Sequence, residues 1–267
     1  MILHPRPALT LFAILTFALT ACGSGMVNPT VVPSIPAGAT DRFNTPATLQ
    51  SYRYVVDIAA TTDLVDMSQA PPGLDLDDAE LHILIEGERL NPDREYTHAV
   101  TTFGYLSVER ETIVIGTRLW SRQANNAWRE RATVNGPEDF IGQDVALSPS
   151  VILGTDDPEY LQELTDRMAT QPFVAEAVNG RQTRHWTLTQ REIKWIQGDF
   201  NTVPGLLAPE AVTVDVWVDT ETGVAVRVLV TAASTEDPNA FRLTMDLYDL
   251  NEDSVQIAEP AMAIGGP

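Results

Sequence analysis

Apolar and polar residues alternate with a period of two along much of the chain after residue 50. Residues 52–58 read YRYVVDI, in which every second side chain is apolar, and this pattern predicts a strand with one buried face. Turn residues at Asn91-Pro92-Asp93 and Asn125-Asn126 separate further runs of the same kind. The alternation predicts additional strands at residues 81–85, 96–102, 112–119 and 127–133.

The last third of the chain has the most regular alternation. Valine occupies every second position in residues 212–218 and again in residues 224–230, with a turn at 219–223 between them. Asn179-Gly180 separates two further runs and is a strong hairpin signal, because both residues tolerate a positive φ. These patterns predict strands at residues 174–178, 182–189, 212–218, 224–230, 240–250 and 255–257.

A period of 3.6 residues is confined to short segments. Residues 158–169 predict a helix with Asp157 as N-cap and Pro158 in the first turn. Leu161, Leu164 and Met168 form its apolar stripe. Shorter helical segments are predicted at residues 46–51, with Thr45 as N-cap, at residues 149–153 and at residues 191–197.

So few helical residues cannot cover both faces of a sheet. An apolar sheet face must nevertheless be buried against another layer. The sequence therefore predicts a mainly β, α+β fold: one large, curved antiparallel sheet with a few helices on its apolar side.

The first 22 residues have the pattern of an export signal. An apolar run at residues 8–21 follows Arg6 and is too short for a membrane-spanning helix, which needs roughly 20 apolar residues. Leu19-Thr20-Ala21-Cys22 matches the bacterial lipobox, in which the cysteine is acylated and becomes the new N-terminus. The alternative is an ordinary signal peptide with a chance cysteine, although Cys22 is the only cysteine and has no disulfide partner.

These features divide the chain into four parts. Residues 1–21 are predicted to be the signal peptide. Residues 22–41, rich in glycine, serine and proline, are predicted to be the lipidated N-terminus and a flexible linker. Residues 42–260 form the folded domain, and residues 261–267 form a C-terminal tail.

Charge restricts the partners of this domain. Asp and Glu (37) outnumber Lys and Arg (17), which gives a formal net charge of −20. Such a surface repels nucleic acids and anionic headgroups, so we expect no nucleic-acid partner. Membrane attachment is therefore expected to come from the acyl chains on Cys22. Trp195 and Ile196 are candidates for an additional contact with the membrane interface.

Three stretches resemble the LolA-like superfamily, and within it bacterial lipoproteins of the LppX/LprG type. The first is the lipobox at Cys22 with its Pro/Gly-rich linker. The second is SYRYVVDI at residues 51–58. The third is VDVWVDTETGVAVRV at residues 214–228, followed by a strand that ends in YDLNED at residues 248–253.

The resemblance implies a half-open β-barrel whose concave face holds a hydrophobic cavity closed by helices. It also implies binding of the acyl chains of lipids or lipoproteins, for transport or presentation at the cell envelope. We expect a neutral or zwitterionic ligand because the surface is acidic. The lining would come from Tyr54, Val56, Ile58, Ile83, Ile85, Leu161, Leu164, Met168, Val214, Val216, Val226 and Val228.

The same residues have a plainer interpretation as ordinary core. In that case the chain would be a tethered interaction or sensor module with a solid core, and its partner would be another envelope protein. No catalytic residue, metal ligand set or cofactor is predicted. His82, His98 and His185 lie on separate predicted strands, and no nucleophile elbow or glycine-rich phosphate loop occurs.

Overall fold

A computed structural model describes residues 38–64, 80–131, 149, 158–189 and 211–261. All of them belong to one compact unit, Val32–Pro267. The helix whose bounds the described residues contain is α1 (Pro158–Thr170), and single 3-10 turns lie at Pro46–Thr48 and Thr62–Leu64. The strands are β1 (Ser51–Thr61), β2 (Glu80–Leu90), β3 (Arg94–Phe103), β4 (Leu106–Ile115), β5 (Arg118–Gln123), β6 (Arg129–Arg131), β7 (Val174–Val178), β8 (Arg181–Thr189), β9 (Ala211–Asp219), β10 (Ala225–Ala233) and β11 (Phe241–Tyr248).

All of these strands belong to one antiparallel, 11-stranded sheet with the order β6-β5-β4-β3-β2-β1-β11-β10-β9-β8-β7. Each strand pairs with its neighbour in sequence, except where β1 pairs with β11 and brings the two ends of the domain together. The sheet is curved and open, with β6 and β7 at its edges. This architecture confirms the predicted fold class.

The two faces of the sheet carry different residues. Tyr54, Val56 and Ile58 alternate along β1 with half-buried or exposed side chains, and their neighbours across the sheet are Leu247, Met245 and similar residues. Together with Leu164 and Met168 of α1, this face forms the main hydrophobic cluster. On the opposite face, a smaller cluster contains Ile113, Trp120 and Ile257.

Three sequence predictions differ from the structure. Residues 112–119 are not one strand, because β4 ends at Ile115 and Gly116, at a φ of 58°, turns the chain into β5. Residues 255–257 form no strand; Ile257 packs on the convex side of the sheet, where Arg94 Nη1 donates to its carbonyl (3.1 Å). The helix at 46–51 is one 3-10 turn capped by Thr45, and Ser51 already begins β1.

Other predictions agree with the structure or lie outside the described residues. The hairpin at Asn179-Gly180 is confirmed, with φ values of 52° and 77° at its two central residues. The helix at 158–169 is also confirmed. Asp157, residues 150–153, residues 191–197 and residues 1–37 lie outside the described residues.

A buried contact fixes the register of β1 and β2. Tyr54 lies directly opposite Gly87, and its ring covers the glycine. The Tyr54 hydroxyl donates to Glu95 Oε1 (2.7 Å), while Arg89 Nη1 donates to Glu95 Oε2 (2.9 Å). Burial, and then the Glu95 carboxylate, raise the pKa of Tyr54 well above its ordinary value, so this phenol remains a donor.

We expect Gly87→Ala to destabilise the domain. A methyl group on Gly87 would lie 2.1 Å from Cζ of Tyr54, whose ring is fully buried and held by Glu95. Overpacking of this kind costs about 1–3 kcal/mol. Urea unfolding followed by tryptophan fluorescence measures the change. In a Tyr54→Leu background the same substitution should cost less, because the clashing atoms are gone; equal costs in both backgrounds would contradict this explanation.

Candidate functional site

The structure brings the predicted lining residues together on the concave face. Leu161 is partly buried, and the others are buried within the main hydrophobic cluster. Val56, Val214, Val226 and Val228 are completely inaccessible to solvent. The protein's own side chains therefore already cover much of the predicted lining.

A cleft opens at the edge of this cluster, between α1, the segment 40–43 and strand β8. Its volume is about 260 Å³. Met168, one of the predicted lining residues, forms part of its wall. The other apolar residues of the wall are Phe43, Ala169, Phe173, Trp186 and Val218.

Within the described part of the chain, helix α1 packs on the sheet through a short apolar stripe. Among its residues with described side chains, Leu164 and Met168 are the buried ones. The Phe43 amide donates to Thr165 Oγ1 (3.2 Å), which ties the helix to the N-terminal segment. Thr165 Oγ1 in turn donates to the carbonyl of Leu161 within the helix (2.8 Å). Displacement of α1 would thus expose apolar surface of the main hydrophobic cluster.

One wall of the cleft combines aromatic and cationic groups. The rings of Phe173 and Trp186 contact each other with centroids 5.7 Å apart, and Phe173 is 43% exposed at the cleft mouth. The Arg184 guanidinium lies 5.5 Å from the centre of the Phe173 ring. It also pairs with Asp41 (2.9 Å) and donates to the carbonyl of Thr40 (3.1 Å). The cleft therefore combines apolar side chains with polar ones, and an ion pair lies at its rim.

The N-terminal wall of the cleft is fixed by the turn between β9 and β10. The Thr40 amide donates to the Thr220 carbonyl (2.8 Å), and the Asn44 amide donates to the Gly223 carbonyl (2.8 Å). Gly223 has a φ of 72°, and a side chain there would lie 2.3 Å from the Arg42 carbonyl. Glycine is therefore required for the close approach of segment 40–44.

Asp219 organises that turn. Its Oδ2 accepts hydrogen bonds from the Thr222 amide (2.9 Å), the Thr222 hydroxyl (2.7 Å) and Arg181 Nη2 (3.1 Å), although only 2% of its surface is exposed. Burial alone raises the pKa of Asp219, but the hydrogen bonds from Arg181 and Thr222 more than offset it. The net pKa of Asp219 lies below its ordinary value.

The three described histidines, His82, His98 and His185, lie on the convex face of the sheet. The register of β2 and β3 places His98 opposite Glu86 and His82 opposite Thr102, so these two histidines do not face each other. Among the described residues, no three His, Cys, Asp or Glu side chains are placed to hold a metal ion. Each histidine of this part of the chain lies beside carboxylates: His82 with Asp57, His98 with Glu86 and Glu109, and His185 with Glu176 and Asp215.

Sequence reasoning placed the site on the concave face but missed several residues of the cleft. Phe43, Phe173 and Arg184 lie in segments that no apolar period marked as lining. Trp186 alternates in phase with Leu188 on β8, and this alternation is the signal that could have identified it. Trp195 and Ile196 lie outside the described residues. No helix in the described part of the chain has the length and apolarity to cross a membrane.

Comparison with known proteins adds little. No protein-family model and no curated protein matches the chain. One solved structure, a beta-barrel-like protein of domain of unknown function DUF1849 from Brucella abortus, is 11% identical with a TM-score of 0.16. The match covers 75% of this chain and 99% of the other chain. A TM-score of this size carries no argument about fold or function, and the resemblance to the LolA-like superfamily stays a prediction.

Asp219→Asn should loosen the N-terminal wall of the cleft. The substitution removes a buried carboxylate that accepts from Thr222 and Arg181, at an expected cost of about 1–3 kcal/mol. Hydrogen exchange should also become faster at the amides of Thr40 and Asn44, which bond to this turn. Unchanged exchange at both amides would show that the turn does not control the wall.

The effect of Asp219→Asn on the free energy of unfolding should depend on pH. Because the folded-state pKa of Asp219 is lowered, its stabilisation is complete above the unfolded-state pKa of about 4 and is lost as pH falls through the folded-state value. The difference in unfolding free energy between wild type and Asp219→Asn should be constant at neutral pH and shrink below about pH 4. Urea titrations at a series of pH values measure it.

Proposed function

We propose that this protein is a membrane-anchored, non-enzymatic lipoprotein that binds an acyl chain beneath helix α1. The observation that carries the proposal is the cleft of about 260 Å³ that leads from an exposed aromatic mouth to the main apolar cluster. The proposed role is lipid transport or presentation at the cell envelope, with Cys22 as the lipidated anchor.

The chemistry of the cleft suits a hydrocarbon chain. Phe43, Met168 and Trp186 present apolar surface, and burial of each methylene stabilises a complex by roughly 0.8 kcal/mol. The volume is at the lower end of ordinary ligand sites, which run from about 300 Å³ upward. One chain or the end of a chain therefore fits the cleft as it stands, and a longer chain would need α1 to move away from the sheet.

Anchoring and binding are separate properties. Acyl groups on Cys22 would hold the domain at a membrane, whereas the wall of the cleft starts at Thr40, at the end of the predicted linker. Because the chain has a net charge of −20, attraction between basic residues and anionic lipids does not hold it at a membrane. The proposal thus assigns the anchor to Cys22 and the cargo to the cleft.

Lipidation is tested by metabolic labelling. We expect the full-length chain, expressed in a bacterium, to incorporate labelled palmitate and to fractionate with membranes. Cys22→Ser should abolish the label, because no other cysteine is present. Label that persists in Cys22→Ser would overturn the assignment of the anchor.

Acyl binding is tested on residues 22–267 carrying Cys22→Ser, which contain the whole compact unit Val32–Pro267. Native mass spectrometry should show adducts of lipid mass that organic extraction removes. A fluorescent fatty-acid probe should bind and be displaced by unlabelled fatty acid.

A filling substitution tests whether the cleft is the site. Ala169 is exposed and lines the cleft, so Ala169→Trp should lower probe affinity at least tenfold without loss of stability. Gln162→Trp is the matched control, since Gln162 is exposed on the same helix but does not line the cleft. Absence of lipid adducts in the mass spectrum, together with failure to bind the probe, would contradict the lipid-binding proposal. That result would favour a tethered interaction module with a solid core.

A further inference from the structure

The hairpin between β3 and β4 ends in an exposed apolar tip. Tyr105 is 76% exposed, Leu106 43% and Val108 50%, and they lie within four positions of one another. The tip, defined as residues 103–108, carries three of the five large apolar side chains identified as strongly exposed among the described residues. Clustered exposure of this kind marks an interaction site, whereas single exposed apolar residues are common.

The geometry of the hairpin presents these side chains outward. Phe103 and Leu106 form the last pair of the ladder, so only Gly104 and Tyr105 remain in the turn. Gly104 has a φ of 56° at the first central position, as in hairpin turns of type II′. With nearly all backbone groups paired up to the turn, this tip can enter an apolar phase at little cost in unsatisfied hydrogen bonds.

The charge pattern identifies the kind of partner. Residues 99–108 contain no Asp, Glu, Lys or Arg, in a chain whose net charge is −20. The negative charge on the rest of the domain would repel an acidic protein surface or an anionic lipid surface. An uncharged tip with an exposed tyrosine fits the interface of a neutral or zwitterionic bilayer, where amphipathic aromatic rings accumulate.

We propose that the tip of the β3–β4 hairpin inserts into the interface of a neutral or zwitterionic lipid membrane. This contact is additional to the anchor at Cys22 and needs no ligand in the cleft. It would orient the domain on the membrane, because a lipidated linker alone fixes only distance.

The tip is joined to the concave face. The register places Leu81, Phe103 and Leu106 in one row across β2, β3 and β4, on the same face as Ile83 and the main cluster. An inserted tip would therefore bring this edge of the concave face toward the lipid. The cleft lies toward the opposite end of the sheet, where segment 40–44 bonds to the β9–β10 turn, so an inserted tip would orient the domain without placing the cleft in the membrane.

The linker is long enough for both contacts. The tip lies at the end of the sheet where β1 finishes, whereas segment 40–44 bonds to the β9–β10 turn at the other end. β1 has 11 residues, a length of about 36 Å. Cys22 and Gly38 are about 16 residues apart, and such a segment can reach about 55 Å. An anchor on Cys22 and the tip can therefore meet one membrane.

The test uses residues 22–267 with Cys22→Ser and phosphatidylcholine vesicles, so that no acyl anchor contributes. We expect the protein to co-float with the vesicles and this binding to persist in high salt. Replacement of a quarter of the lipid by phosphatidylglycerol should weaken binding at low salt, because the protein is acidic. In a Tyr105→Trp variant, the emission from the new indole should shift to shorter wavelength when vesicles are added.

The double variant Tyr105→Ser/Leu106→Ser should lower the vesicle partition coefficient roughly tenfold or more, since two exposed apolar side chains no longer enter the interface. Val174→Ser is the matched control: Val174 is 60% exposed on edge strand β7, far along the sheet from the tip, and its substitution should leave partition unchanged. Thermal unfolding should be the same for all three proteins.

The outcomes separate this proposal from the lipid-binding proposal. The tip variant should still bind the fatty-acid probe, and Ala169→Trp should still bind vesicles. Equal partition of wild type and tip variant would overturn membrane insertion, as would binding that disappears in high salt. If the tip variant instead converts a dimer to a monomer in sedimentation with no change in vesicle binding, the tip is an interface between copies of the chain.

Discussion

The pairing of β1 with β11 is the contact on which the rest of the structure depends. It joins the first strand of the domain to the last and makes one continuous sheet from two meanders. The register places Tyr54 opposite Leu247 and Val56 opposite Met245, all completely buried. A slip of one residue would turn these side chains to solvent, so burial of the apolar face specifies the register.

One-sided burial also explains where the molecule can act. The concave face needs a cover, and in the part of the chain that the structure describes α1 contributes to it with buried side chains such as Leu164 and Met168. The cleft forms where this cover meets segment 40–43 and β8. Its wall depends on the β9–β10 turn, whose shape is set by Asp219 and Gly223.

Much of the fold could be predicted from local patterns. Alternation over β1, β9 and β10 is regular because one side of each strand faces the core throughout its length. The prediction failed at residues 112–119, where apolar residues continue across the turn at Gly116. It failed again at residues 255–257, because Ile257 is buried against the convex face without strand pairing. The alternation of apolar residues indicates which side chains are buried, but it does not indicate which segment of the chain buries them.

The sequence by itself determined the fold class, the hairpin at Asn179-Gly180, helix α1 and the set of residues on the concave face, because each follows from short-range patterning or backbone preference. The lipobox prediction at Cys22 is also local. Only the tertiary structure decided that Arg184, Phe173 and Phe43 meet at one cleft, and that the tip of the β3–β4 hairpin stays uncovered. These features arise from contacts between segments far apart in sequence, and no local pattern encodes the empty volume between them.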